Sequence, residues 1–228
     1  MTPEKLLGYN LPLFAGMKPA DLGTITLDIS EQHLAPWQTI IDQDDASYDI
    51  YFLLSGALLA VFWTPQGREI VFSRFPVGSY FGELAAFDGI PRSLAVVAKT
   101  EATVLTMTRS SFLQLFNEVP LLRDRMTKNL VDRIRTLTER NMEMTTLSVD
   151  QRVRKYLLRL AAEEAKLFKG AVIEHAPTHA EIAGSVGANR EMVSRAISKL
   201  VKGGVIRSAR QKIEILDPAA LSDHLASF

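Results

Sequence analysis

The rhythm of hydrophobic and polar positions changes three times along this chain. Residues 3–10 carry a short helical pattern, the loop Leu11-Pro12-Leu13-Phe14-Ala15-Gly16 follows, and Pro19-Ala20-Asp21-Leu22 reads as one more helical turn. From Thr26 to about Met107 the helical period disappears. Short runs rich in β-branched and aromatic residues recur at 39–41, 50–54, 58–63, 69–72 and 103–107. They are punctuated by Asp44-Asp45, Ser55-Gly56, Pro65-Gln66-Gly67 and Val77-Gly78. Many short strands at this spacing predict an antiparallel barrel or jelly roll. From about Ser110 to Leu147 the pattern is helical again, with Pro120 near the start of the main segment, where proline is tolerated. Shorter helices and a final pair of strands complete an α+β chain.

The long helical stretch has a second periodicity. Leu130, Ile134, Leu137, Asn141 and Met144 follow alternating four- and three-residue steps. With Ile134 and Asn141 at a, and Leu130, Leu137 and Met144 at d, this is a short coiled-coil seam flanked by Arg133, Arg135, Glu139 and Arg140. The seam fits a parallel homodimer in which Asn141 fixes register; a helix packed on its own barrel is the simpler alternative. Ser148 is placed to cap a new helix with Val153, Leu157, Leu160 and Ala161 on its apolar face, which makes 146–148 a candidate hinge.

A tighter constellation follows at 178–200. Thr178 and Glu181 form a capping box, and Gly187 sits where a left-handed residue turns the chain. Asn189 is placed to cap a second short helix. Ile182, Val186, Val193 and Ile197 give the pair their apolar faces, the size and spacing of a helix-turn-helix. The second helix exposes Arg190, Glu191, Ser194 and Arg195 near its start, the positions that reach base edges in a major groove. Arginine suits guanine and glutamate can accept from cytosine. The competing reading is a helical hairpin with a solvated charged face. Residues 203–215 add a hairpin, with Arg207, Arg210 and Lys212 available for phosphates.

Composition narrows the chemistry. The 228 residues are 47% hydrophobic and 23% charged, as in a soluble globular protein, and hold no apolar run near the roughly 20 residues of a membrane helix. Met1-Thr2-Pro3-Glu4-Lys5 does not begin a secretory signal, so a cytoplasmic location is expected. The absence of cysteine excludes disulfides, thiolate-held clusters and a cysteine nucleophile. His33, His175, His179 and His224 are not read as a metal site, because Pro177 interrupts the only close pair. No nucleophile–base pair suggests an enzyme. The zero net charge hides an asymmetry. Residues 1–148 hold 13 Lys and Arg against 17 Asp and Glu, and residues 149–228 hold 13 against 9, a local balance of +4 that suits a nucleic-acid partner.

Residues 81–93, Phe-Gly-Glu-Leu-Ala-Ala-Phe-Asp-Gly-Ile-Pro-Arg-Ser, carry the remaining chemistry. Gly82 allows close backbone approach, and the N–H groups of a tight turn from Glu83 to Ala86 could cradle an anion. Arg92 offers a planar fork for two phosphate oxygens, Ser93 one more donor, and Glu83 an acceptor for a hydroxyl. A surface salt bridge between Glu83 and Arg92 is the bland alternative.

The order F-G-E-L-A followed by G-x-P-R-S resembles the phosphate-binding cassette of cyclic-nucleotide-binding domains. The resemblance implies that Gly82, Glu83, Leu84, Ala85, Arg92 and Ser93 bind a cyclic nucleotide, cyclic AMP or cyclic GMP, with no metal. The motif R-E-x-x-x-R after a capped helix and glycine turn resembles the recognition helix of the cyclic-AMP receptor family. Through it Arg190, Glu191 and Arg195 are implied base readers and Thr178 a phosphate contact, with Asn189, Ser194, Arg207 and Arg210 beside them. In that family the long helix is the dimer axis and closes over the base; Thr138 keeps the family's hydroxyl, whereas Leu137 departs from the usual threonine. The resemblance spans nearly the whole chain. It implies a sensor at 1–110, a dimerisation helix at 111–147 and a winged helix-turn-helix at 148–228. It further implies a homodimeric transcription regulator that binds double-stranded DNA at inverted TGTGA-like half-sites and has RNA polymerase as a partner. A kinase-type regulatory module, or a regulator of this fold with another effector or none, are the alternatives.

Overall fold

The computed structural model describes residues 1–23, 25–67 and 69–222; His224 lies outside the described residues. Two compact units are formed, Met1–Ile134 and Arg135–Phe228.

The first unit begins with α1 (Pro3–Gly8), capped by the Thr2 hydroxyl, and two 3₁₀ turns at Pro12–Phe14 and Pro19–Leu22. Eight strands follow: β1 (Ile29–Leu34), β2 (Thr39–Ile41), β3 (Ile50–Ser55), β4 (Leu58–Trp63), β5 (Glu69–Phe75), β6 (Tyr80–Phe81), β7 (Ala95–Ala98) and β8 (Ala102–Met107). They pair antiparallel into two four-stranded sheets of order β1-β8-β3-β6 and β2-β7-β4-β5. The continuous apolar run of β3 is explained by burial on both faces. Ile50 and Phe52 enter a core shared with Leu6, Phe14, Phe112, Leu115 and Leu122, while Tyr51 and Leu53 enter the core between the sheets with Leu58, Phe81, Val96 and Val104.

Between β6 and β7 lies α2 (Glu83–Asp88). The tight turn expected there is a short helix, bounded by Gly82 and Gly89, both left-handed. The expected helical stretch from 110 to 147 is two helices, α3 (Arg109–Glu118) and α4 (Pro120–Thr146). The break is Val119, which is extended as a residue before proline prefers.

The second unit takes the C-terminal half of α4 and continues through α5 (Val149–Glu163), β9 (Val172–Glu174), α6 (His179–Val186), α7 (Arg190–Lys202), β10 (Ile206–Ala209), β11 (Lys212–Ile215) and α8 (Pro218–Ser222). Val153, Leu157, Ile182, Val193, Ile197 and Ile213 meet in its core. The expected hairpin has a third strand, in the order β10-β11-β9. The antiparallel sheets, long helices and helix-turn-helix make this the mixed α+β fold that the pattern predicts.

Candidate functional sites: a ligand cassette and a nucleic-acid interface

The cassette is organised around the carbonyl of Gly82. Gly82 has φ +88°, and a Cβ on it would lie 2.8 Å from both Arg92 Nη1 and the Asp49 carbonyl, so no other residue fits without displacement. Its carbonyl accepts the first helical bond of α2, from Ala86 N–H at 3.4 Å, and a second from Arg92 Nη1 at 2.9 Å. Arg92 also donates from Nη2 to the Asp49 carbonyl (2.7 Å) and from Nε to Ser47 Oγ (3.1 Å). Its main chain pairs with the acidic loop, N–H to the Asp45 carbonyl and carbonyl to Asp44 N–H. Tyr51 lies under the guanidinium, 5.8 Å from ring centre to Cζ, and is itself stacked on Phe81. Arg92 is 4% exposed. Burial pulls its pKa down, and Tyr51, Asp49, Asp45 and Glu83 push it back up. Three of its five N–H groups are committed, leaving one on each terminal nitrogen, the pair that a bidentate anion would take.

Glu83 is 3% exposed and does not pair with Arg92. Its Oε1 is bonded instead to Arg133 of α4, which also lies over the ring of Tyr80. Oε2 has no hydrogen-bond partner among the described residues. The surface salt bridge considered for Glu83 and Arg92 is therefore absent. The N–H groups of Glu83, Leu84 and Ala85 have no intrahelical acceptor, as at any helix start, whereas that of Ala86 is already used. Arg92, these amides and Glu83 thus converge on one small region, an array for an anion beside a hydroxyl. Leu84 and Ser93 are exposed next to it and Ala85 is buried. Arg109 clips the far end of α2 by donating from Nε to the Ala86 carbonyl at 2.8 Å.

Sequence reasoning misses Arg133, Tyr51 and Ser47. Arg133 is visible there only as a charge flanking the seam, and its link to Glu83 spans 50 residues. On the seam, Ile134 and Leu137 are 63% and 62% exposed, and Thr138 and Asn141 are exposed too. Met144 instead lies over Gly187, with its Cε 3.2 Å from where a Cβ would stand.

In the second unit the caps are those the sequence specifies. Ser148 accepts from Gln151 N–H, and Thr178 exchanges bonds with Glu181 (3.3 and 2.7 Å). Gly187 is left-handed at φ +61°, and Asn189 Oδ1 accepts from Met192 N–H at 2.8 Å. Val193, Ala196, Ile197 and Leu200 bury one face of α7. The other lines a shallow groove with Arg190, Glu191, Ser194, Arg195, Lys199 and Lys202. Arg190, Glu191 and Arg195 are exposed with no recorded ion-pair partner among the described residues. The wing differs from expectation. Arg207 is paired with Glu214 and Lys212 with Glu174, so only Arg210, at the tip, stands clear of a recorded partner among the described residues.

The basic residues of this region also serve internal contacts, which the sequence does not reveal. Arg152, Lys155 and Arg159 form one stripe on α5. Arg152 donates to the carbonyls of Leu147 (2.8 Å), Met144 (3.4 Å), Val186 (2.8 Å) and Gly187 (3.2 Å). Arg159 grips Glu143 with both terminal nitrogens (2.9 and 3.3 Å), and Lys155 Nζ lies 3.0 Å from the same carboxylate. Glu143 is 6% exposed; burial pushes its pKa up, but the bonds from Lys155 and Arg159 outweigh this and hold it below the ordinary carboxylate range.

The chain is similar to known proteins in two separate stretches. Residues 31–119 match the family model of the cyclic nucleotide-binding domain, and residues 151–224 that of the Crp-like helix-turn-helix domain. The CRP-like cAMP-activated global transcriptional regulator of Mycobacterium tuberculosis is 26% identical over 211 residues, covering 92% of this chain and 94% of the relative. The cyclic AMP receptor protein of Thermus thermophilus is 28% identical over 217 residues, covering 93% and 95%. Among solved structures, a CRP-family transcriptional regulator from Thermus thermophilus superposes with a TM-score of 0.67 at 27% identity, over 86% of this chain and 97% of that one. The c-di-GMP responsive regulator CLP of Xanthomonas campestris gives 0.70 at 20% identity over 82% and 94%, a likeness of fold alone. No described helix is long and apolar enough to cross a membrane, and no described group of His, Asp or Glu could hold a metal ion.

Proposed function

We propose that this chain, a transcription regulator of the cyclic-AMP receptor type, is a homodimer whose binding to an inverted-repeat operator is governed by cyclic AMP or cyclic GMP. The observation that carries this reading is the convergence at Gly82 of the buried Arg92 fork, the open amides of α2 and the free oxygen of Glu83. The cyclic phosphate meets Arg92 and the amides of Glu83, Leu84 and Ala85. The ribose hydroxyl donates to Glu83 Oε2, while Oε1 keeps Arg133 and so ties the ligand site to α4.

Ser93 and Thr138 offer hydroxyls that serve either purine, and Leu137 removes one that could enforce adenine. The exposed Ile134 and Leu137 supply the apolar seam for a second copy. Ligand contact with both the cassette and α4 then gives a differential affinity for two arrangements of the dimer. On DNA, Arg190, Glu191 and Arg195 read the G·C pairs of a TGTGA-like half-site. Asn189 fixes the helix start, Ser194 lies between the readers, and Thr178, Arg210 and Arg207 face phosphates, the last after leaving Glu214. RNA polymerase as a partner and a cytoplasmic setting go with this reading.

Titration calorimetry with each nucleotide tests it. Both are expected to bind, with affinities within about 100-fold of each other, a spread of roughly 2.7 kcal/mol. No binding of either would remove the cassette assignment, and a wider gap would remove the shared-base reading.

A further inference from the structure

Between α4 and α5 the chain has only Leu147 and Ser148 outside a helix. Two residues with free dihedrals make a swivel, and 146–148 is the natural place to expect a hinge. The side chains around it contradict a loose joint. Glu143, one turn before the end of α4, is buried and gripped by a bidentate guanidinium and an ammonium from α5. Arg152 bonds carbonyls at the end of α4 and at the end of α6 with one guanidinium. Helix ends leave such carbonyls without intrahelical donors, and they carry the negative end of the helix dipole, so one cation serves two helices. Met144 closes on Gly187 from the same turn of α4. Gly187 is two residues before Asn189, the cap of α7.

We propose that Glu143 is a positioning residue of the DNA reader: with Lys155 and Arg159 it locks the last turn of α4 to α5, and Arg152 carries that lock to the turn that aims α7. The joint at 146–148 is braced, and a rotation of the end of α4 reaches α7 without slack. The part of this that concerns DNA rests on the reading of α7 as the recognition helix; the mechanical part does not. A buried carboxylate is suited to the task because its geometry is dictated by two partners at once, and because loss of its charge leaves two cations facing a neutral group.

The test uses the full chain, which has no cysteine of its own and so accepts two unique spin labels, at Glu139→Cys on α4 and Lys202→Cys on α7. Labelled chain is mixed with excess unlabelled chain so that only distances within one subunit are read. Pulsed electron resonance is expected to give a narrow distance distribution in the labelled parent. Glu143→Gln, the same size without the charge, should broaden it at an unchanged melting temperature of the sensor unit. Arg159→Gln should do the same from the other side of the contact, and Glu143→Asp should restore a narrow distribution. In the unlabelled proteins, Glu143→Gln is expected to weaken operator binding about tenfold at saturating nucleotide, with nucleotide affinity unchanged. A distribution that stays narrow in both Gln variants overturns the proposal, as does broadening with unaltered operator affinity. Whether the parent binds DNA at all is measured separately and judges the reading of α7, not the lock.

Discussion

On the proposed function Arg92 meets a small anion and Arg195 a DNA duplex, and the protein prepares the two guanidiniums in opposite ways. Arg92 is buried, stacked on Tyr51 and bonded to Gly82, Asp49 and Ser47 before any ligand arrives. Arg195 stands exposed on α7 with no recorded ion-pair partner among the described residues. The difference follows from what each meets. A small anion offers few contacts, so its receptor gains from a fork whose entropy and desolvation costs are met in folding. A duplex offers many phosphates and releases counterions, so its reader can leave side chains mobile and still bind. A buried arginine is thus part of the fold and an exposed one is not, and substitutions separate the two.

The largest effect is expected at the buried site. Arg92→Ala removes a charge-assisted contact and also strips donors from Gly82 and Asp49. Nucleotide affinity should fall at least 100-fold, about 2.7 kcal/mol or more, and the melting temperature of the sensor should drop in calorimetry. Arg92→Lys should restore little, because one ammonium cannot reproduce three divergent bonds and a fork. Full folding stability in Arg92→Ala would show that its guanidinium is not part of the fold.

Next in size is Arg195→Ala, expected to cost about 1–3 kcal/mol at one base pair and to relax specificity there, with melting unchanged. Gel shifts on operators varied at that position measure it. Smaller again is the wing. Arg210→Ala should weaken all sequences alike and lower the salt slope by about 1. Arg207→Ala should do less, because Arg207 must first leave Glu214. Equal salt slopes for the two variants would show that the wing pairing does not matter on DNA.

How much of this is legible depends on how local the cause is. The caps Ser148, Thr178 and Asn189, and the left-handed Gly187, act within three residues, and the sequence specifies each. The cassette is readable as a set of residues but not as a shape. Gly82 and Gly89 both signal turns, and the six residues between them are too few to display a helical period. The strands β7 and β9 are built from three or four residues and lack an alternating pattern long enough to see. The basic stripe of α5 adds to the charge balance that suits nucleic acid, although its partners are Glu143 and four carbonyls brought together only by folding. Charge totals cannot distinguish a cation for DNA from one that holds two helices.

If a nucleotide in the cassette governs how a dimer reads DNA, footprints taken with and without cyclic nucleotide must differ. Protection of two inverted half-sites about one helical turn apart, roughly 34 Å, is expected only when nucleotide is present. Equal protection in both conditions, or protection of a single half-site, would contradict it.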